Sequence, residues 1–193
     1  MRGLICALFS LLFLAQANIA TGESSAEAFL RNKIDAATTI LQNEGVEQQK
    51  QNEEVAEIVS AMFDFPLMAK LTLGSKYWPS LTRENKDKFT ELFIRRLKKT
   101  YSAKLTLYRD ETVLYESATK TGKKVQISTY LVSKHKKTSI VYKLYKSKND
   151  WQIYDLEIEG VSVVRSYRAQ FADILRRGTI DDLLLKLEKS VET

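Results

Sequence analysis

The chain has 193 residues, 44% hydrophobic, 28% charged and 10% aromatic, and its 30 Lys plus Arg against 24 Asp plus Glu give a net charge of +6. Seven Gly and two Pro exclude a collagenous or linker-like chain, and the apolar content is too high for general disorder, so one core-forming domain is expected. One His and one Cys leave little material for metal, nucleophilic or acid/base sites, which disfavours catalysis from the outset.

Met1-Arg2 is a short basic start, Leu4 to Leu14 an apolar run, and Ala15-Gln16-Ala17 a small-x-small cleavage site, with Ala20 a second choice. This pattern predicts a cleaved secretory signal peptide over residues 1–20. The run falls short of the roughly 20 residues that span a bilayer, and Cys6 lies near its beginning, where it cannot serve as a lipoprotein cysteine. Cleavage removes Arg2 and Cys6, leaving 29 basic against 24 acidic residues, a net charge of +5 and no thiol. Residues 21–193 then form one domain that its core alone must stabilise.

Apolar residues recur at helical spacing at Leu30, Ile34, Ala37 and Leu41, and again at Val55, Ile58, Val59, Met62 and Phe63 beyond the polar stretch Gln42 to Glu54. Phe65-Pro66-Leu67 breaks or restarts the pattern, because Pro fits a first helical turn, and the next segment runs on to Pro79. Thr82 is a predicted N-cap, opening a long stripe through Phe89, Leu92, Phe93, Leu97, Tyr101 and Leu105.

From about Thr112 the period changes to two. Val125, Ile127, Thr129 and Leu131 alternate with Gln126, Ser128, Tyr130 and Val132, and Thr138 to Lys146 and Trp151 to Glu159 share the same β-branched and aromatic content. Short polar turns at Lys134 to Lys137 and Ser147 to Asp150 make an antiparallel meander the economical arrangement. Helical spacing returns at Val164, Arg168, Phe171 and Leu175, Gly178 ends that helix, and Thr179 caps a last one with Asp182 three residues on. The class is α+β: about four antiparallel strands in a curved sheet, with helices on both sequence flanks.

Between Lys104 and Lys148 eleven Lys or Arg face three acids, a local charge of about +8. Anionic lipid headgroups, acidic protein partners, or a solvated face whose lysines block edge pairing all fit this excess. Export and the absence of any nucleic-acid motif argue against nucleic acid. Asp155, Glu157 and Glu159, at i, i+2 and i+4, share a strand face; the expectation is a solvated face paired with lysines of the neighbouring strand, with no metal. His135 stands among lysines in a turn, and Gly160-Val161-Ser162 is half of a nucleophile elbow, lacking the second glycine at Val164. No catalytic residue emerges.

Eight bulky residues, Phe63, Phe65, Leu67, Met68, Leu71, Leu73, Tyr77 and Trp78, crowd into sixteen positions. The run Phe65-Pro66-Leu67-Met68-Ala69-Lys70-Leu71-Thr72-Leu73-Gly74 with Tyr77-Trp78, then Phe89-Thr90-Glu91-Leu92-Phe93 and Tyr101, resembles the first half of the MlaC family, also called the toluene-tolerance or ABC-transporter auxiliary-component family. Trp151-Gln152-Ile153-Tyr154-Asp155, followed by Glu159-Gly160-Val161-Ser162 and a helix reaching Phe171, is similar to that family's strand-to-helix signature. The resemblance spans about 63 to 187.

The resemblance implies a periplasmic carrier whose apolar cavity, between helices and a curved sheet, holds phospholipid acyl chains. The carrier would exchange lipid between an outer-membrane lipoprotein complex and an inner-membrane ABC transporter with a ring-forming lipid-binding subunit. It implies cargo lipid, no other cofactor, and no enzyme activity. Shelter is physically necessary: exposing about thirty methylenes costs on the order of 25 kcal/mol. On this reading the cavity candidates are Phe63, Phe65, Leu67, Met68, Leu71, Tyr77 and Trp78 from the crowded segment, and Phe89, Phe93, Leu97 and Tyr101 from the long helix. Ile127, Tyr142 and Tyr154 join them from the strands, and Val161, Val164 and Phe171 from the final strand-to-helix region. Arg165 and Arg168 are candidates for a headgroup phosphate or a partner's acidic surface, against the alternative of a solvated helix face. A carrier of another apolar lipid such as a hopanoid, and a secreted interaction module whose aromatics are only core, remain as alternatives.

Overall fold

The computed structural model describes residues 25–105, 111–134, 136–148 and 150–192. The predicted signal segment with Cys6, the side chain of Leu105, and His135 lie outside the described residues.

Among the described residues six helices and six strands follow in order: α1 (Ser25–Leu41), α2 (Gln48–Met62), α3 (Phe65–Tyr77), a 3-10 turn (Trp78–Ser80), α4 (Arg83–Leu105), β1 (Thr112–Tyr115), β2 (Thr119–Thr121), β3 (Lys124–Val132), β4 (Lys137–Lys146), β5 (Trp151–Ile158), β6 (Val161–Ser162), α5 (Val163–Arg177) and α6 (Ile180–Glu192). The expected α+β class holds, with two more strands than the four anticipated. β2 and β6 have three and two residues, too few to display a period.

Caps explain most boundaries. The Asp64 carboxylate accepts from the Leu67 amide and Pro66 fills the first turn of α3. The Thr82 hydroxyl accepts from Asn85 N–H ahead of α4, and Thr179 and Asp182 cap α6 reciprocally. Gly178 is extended, not left-handed; its missing Cβ leaves room for the Asp182 carboxylate, which a Cβ would meet at 2.6 Å. The polar stretch between the first two helices is only partly a connection, since α2 already begins at Gln48. Its Gln51 is buried and donates to the Asn43 carbonyl beyond the end of α1.

The sheet is antiparallel throughout, in the order β1-β3-β4-β5-β6, with β2 beside β1 on the same edge of β3. Opposite Lys143 and Leu144 the register slips by one residue on β5, so Tyr154 is the extra residue of a β-bulge. Two apolar clusters result. The helical one joins α3, α4, α5 and α6, with Phe89, Phe93, Tyr167 and Phe171 in mutual ring contact. The other packs Ala26 and Leu30 of α1 and Met62 of α2 on Val125, Ile127, Leu144 and Ile153 of the sheet. Phe63, whose backbone bridges to Ile153, touches both.

Candidate functional site

Strand alternation determines which side chains share the face that packs on α1. Register places Val125, Ile127, Thr129 and Leu131 of β3 beside Leu144, Tyr142, Ile140 and Thr138 of β4, and Tyr142 and Ile140 beside Leu156 and Ile158 of β5. Val113 of β1 lies opposite Leu131. On this face Val125, Ile127, Leu144 and, farther along β3, Thr129 are buried, whereas Leu131, Ile140, Tyr142, Leu156, Ile158 and Val113 are half-buried. Leu156 packs against the helical cluster and Tyr142 against the sheet cluster, while Val113, Leu131, Ile140 and Ile158 belong to neither. The result is a strip of half-buried apolar side chains around the buried Thr129. Phe65 and Tyr101 form a half-buried margin on the helical cluster. Burial, with a smaller contribution from Tyr167, raises the Tyr101 phenol pKa and so favours its neutral form.

The bulge has a second effect. It places Tyr154 and Asp155 together on the opposite face, where Tyr154 meets the Tyr145 ring edge-on and lies under the Lys124 ammonium. Tyr154 is therefore separated by the sheet from Ile127 and Tyr142, with which it had been grouped. Burial raises its pKa, Lys143 opposes this and Asp155 adds to it.

Asp155 is only 5% exposed, so the expected solvated carboxylate face is corrected at this position. One oxygen accepts from the Ser162 hydroxyl at 2.7 Å and from Lys143 Nζ at 3.1 Å, and the other from the Val164 amide at 3.1 Å. Ser162 in turn caps α5 through the Arg165 amide. Lys143 also reaches Glu157 at 3.0 Å, and Glu157 accepts from Arg165 at 3.3 Å. Desolvation lowers the Lys143 pKa, but hydrogen bonds to Glu157 and Asp155 outweigh it and the net shift is upward. The expected lysine of the neighbouring strand is present, and the cluster fixes the strand-to-helix turn. Among the described residues no group of three His, Cys, Asp or Glu could hold a metal.

The remaining predicted residues divide by burial. Met68, Phe89, Phe93, Leu97, Val164 and Phe171 are interior to the helical cluster, and Phe63, Leu71, Tyr77 and Trp78 lie at its margin. Val161 is the first residue of β6 and is 60% exposed. Arg165 is exposed. Arg168 Nε donates to the Leu71 carbonyl at 2.8 Å and its Nη2 donates to the same oxygen, beside the break in α3 at Gly74 (φ 64°, ψ −170°). Its guanidinium thus caps a broken helix. Leu67 and Trp78 join Pro66, Lys70, Lys86 and Ile94 in a groove of about 910 Å³ between α3 and α4, and a second groove of about 450 Å³ lies between α5 and α6. The sequence candidates left out the strip residues Val113, Leu131, Ile140 and Ile158, although the alternation of β3 already paired Leu131 with Ile127.

Comparison with known proteins bears on this arrangement. A family described as MlaC protein matches residues 31–189. The intermembrane phospholipid transport system binding protein MlaC of Haemophilus influenzae is 27% identical over 124 residues, 61% of this chain and 58% of that protein. The chain thus spans less than two thirds of that relative's length. A toluene tolerance protein of Pseudomonas putida is 23% identical over 153 residues, covering 76% of this chain and 69% of its own. The solved structure of a phospholipid-binding protein from Ralstonia solanacearum, in complex with a phospholipid, superposes with a TM-score of 0.77 at 22% identity, covering 88% of this chain and 98% of that one.

Proposed function

The chain belongs to the MlaC family, and we propose that it is a non-catalytic carrier that takes up phospholipid acyl chains along the half-closed apolar strip of its sheet. The observation that carries this reading is the strip itself: Val113, Leu131, Ile140 and Ile158 are apolar and only half-buried, beside a helical cluster whose central side chains are buried. A protein that needed this face only for stability would gain by covering it, at roughly 25 cal/mol per Å². Acyl chains are the cover that a carrier can exchange. The relatives' names support phospholipid as the cargo and an intermembrane transport system as the setting.

On this reading residues 1–20 are a cleaved leader, the domain over 21–193 works in the periplasm, and lipid passes between an outer-membrane lipoprotein complex and an inner-membrane ABC transporter. Tyr101 and Tyr142, with apolar rings and polar tips, suit the margin between acyl chain and water. Mass spectrometry of lipid extracted from protein purified without detergent tests the proposal. Near-stoichiometric phospholipid is expected; a hopanoid or other apolar lipid in its place would overturn the cargo, and recovery of no lipid would overturn the carrier.

A further inference from the structure

Strand register gathers part of the basic excess at one end of the sheet. Lys124 begins β3 opposite Tyr145, Lys146 ends β4 opposite Trp151, Lys120 pairs with Val125, and Lys123 and Lys148 sit in the two turns at that same end. All five are exposed, and among the described residues none forms an ion pair. Elsewhere Lys88 pairs with Glu188, Arg165 with Glu157, and Arg176 and Arg177 with Asp173; what distinguishes the five is their clustering at one sheet end. Asp150 is the one acid within these turns. Two of the lysines lie over aromatic rings, Lys124 over Tyr154 and Lys146 over Trp151, and Trp151 is anchored by its indole N–H to the Ser25 hydroxyl.

We propose that this lysine-crowned sheet end docks the protein on the surface of an anionic lipid bilayer. Protection of a sheet edge accounts for Lys120 alone, because β3 and β4 are interior strands and Lys123 and Lys148 are in turns. The cations are all Lys and none is Arg. Lysine is a hydrated point charge suited to a diffuse negative surface, whereas a specific acidic protein partner favours the bidentate arginine fork and a groove to anchor in. Both grooves lie on the helical side instead. Tyr154 and Trp151 supply the aromatic rings that favour a headgroup layer. Leu131, near the opposite end of β3, lies about 20 Å from Lys124, so docking leaves the apolar strip accessible. The inference does not depend on lipid uptake.

Vesicle pelleting of the protein purified from the periplasmic fraction tests it, with phosphatidylcholine alone and with about 30% phosphatidylglycerol. Binding is expected only to the anionic vesicles, and should be lost between about 50 and 500 mM salt. Replacing Lys124, Lys146 and Lys148 by Glu should lower affinity about a hundredfold. A control with Lys50, Lys98 and Lys99 replaced by Glu carries the same net charge and should bind as the parent does. If the triple reversal fails to fold, the Lys→Gln triple, checked by circular dichroism, serves in its place. Absence of binding to anionic vesicles, indifference to salt, or an equal loss in the control would overturn the proposal.

Discussion

The helical cluster and the open strip of the sheet are built from similar residues and end in opposite states. In the cluster, Phe89 and Phe93 are fully buried and stack with ring centroids 6.1 Å apart, and Phe171 meets both edge-on. On the strip, Ile140, Leu131 and Ile158 are as apolar, yet each keeps part of its surface in solvent. Apolar content alone therefore does not separate a closed core from an open face. The separation comes from what packs opposite: α5 and α6 close on α4, whereas α1 and the end of α2 pack on the part of the sheet containing Val125, Ile127, Leu144 and Ile153.

The largest effect should arise where packing is closed. Phe93→Ala removes a ring that touches Phe89 on its own helix and Tyr167 and Phe171 on α5, leaving a cavity in the middle of the cluster. A loss of about 3–5 kcal/mol is expected in urea denaturation. A loss below about 1 kcal/mol would mean that the cluster is as loosely packed as the strip, and the contrast would fail.

The contrast also explains what could be read in the sequence. Closed regions were legible: the stripe through Phe89, Phe93 and Leu97, the caps at Thr82 and Thr179, and the alternation of β3 all follow from one period and one cap chemistry. The resemblance to the family rested in part on Tyr154-Asp155 and Gly160-Val161-Ser162, and the structure supplies their physical sense. Asp155 holds Ser162 and the Val164 amide at the start of α5. Glu159 and Gly160, at φ 49° and 77°, make the two-residue turn that brings Ser162 back beside Glu157. What sequence concealed was the bulge. Without it, simple alternation keeps Ile153 with Asp155 and Glu157, so neither the placement of Tyr154 nor that of Leu156 and Ile158 can be derived from period two. Partial cover is likewise a property of the packed elements, which is why the cavity candidates were drawn mostly from the closed core, with Tyr142 from the strip.

A tie between the two regions gives a smaller, pH-dependent effect. The Tyr145 hydroxyl of β4 donates to Asp64 at 2.5 Å, and Asp64 caps α3 with its other oxygen. This hydrogen bond to a carboxylate, with burial second, pushes the phenol up to about 12 from its usual 10. The folded state thus retains a proton that the unfolded chain releases first. The tie should be fully effective below pH 10 and lost as pH rises toward 12. Tyr145→Phe should cost on the order of 1 kcal/mol near neutrality and flatten the alkaline decline in urea-derived stability. An unchanged alkaline slope in the variant would assign the decline to other groups and leave the two regions without this link.

The smallest stability change should come from the strip, and it is the sharpest test of the comparison. Ile140→Thr keeps a β-branched side chain in the middle of the sheet, so strand geometry is preserved, and the residue is already part-hydrated. In lipid-free protein the cost should stay below about 1 kcal/mol. In the carrier state the same hydroxyl would face acyl chains without a partner, at a penalty of about 1–3 kcal/mol. Lipid retained per protein, counted by mass spectrometry, should therefore fall roughly tenfold while the lipid-free melting temperature barely moves. A stability loss as large as that of Phe93→Ala, with retained lipid unchanged, would show that Ile140 belongs to a core and not to a surface reserved for cargo.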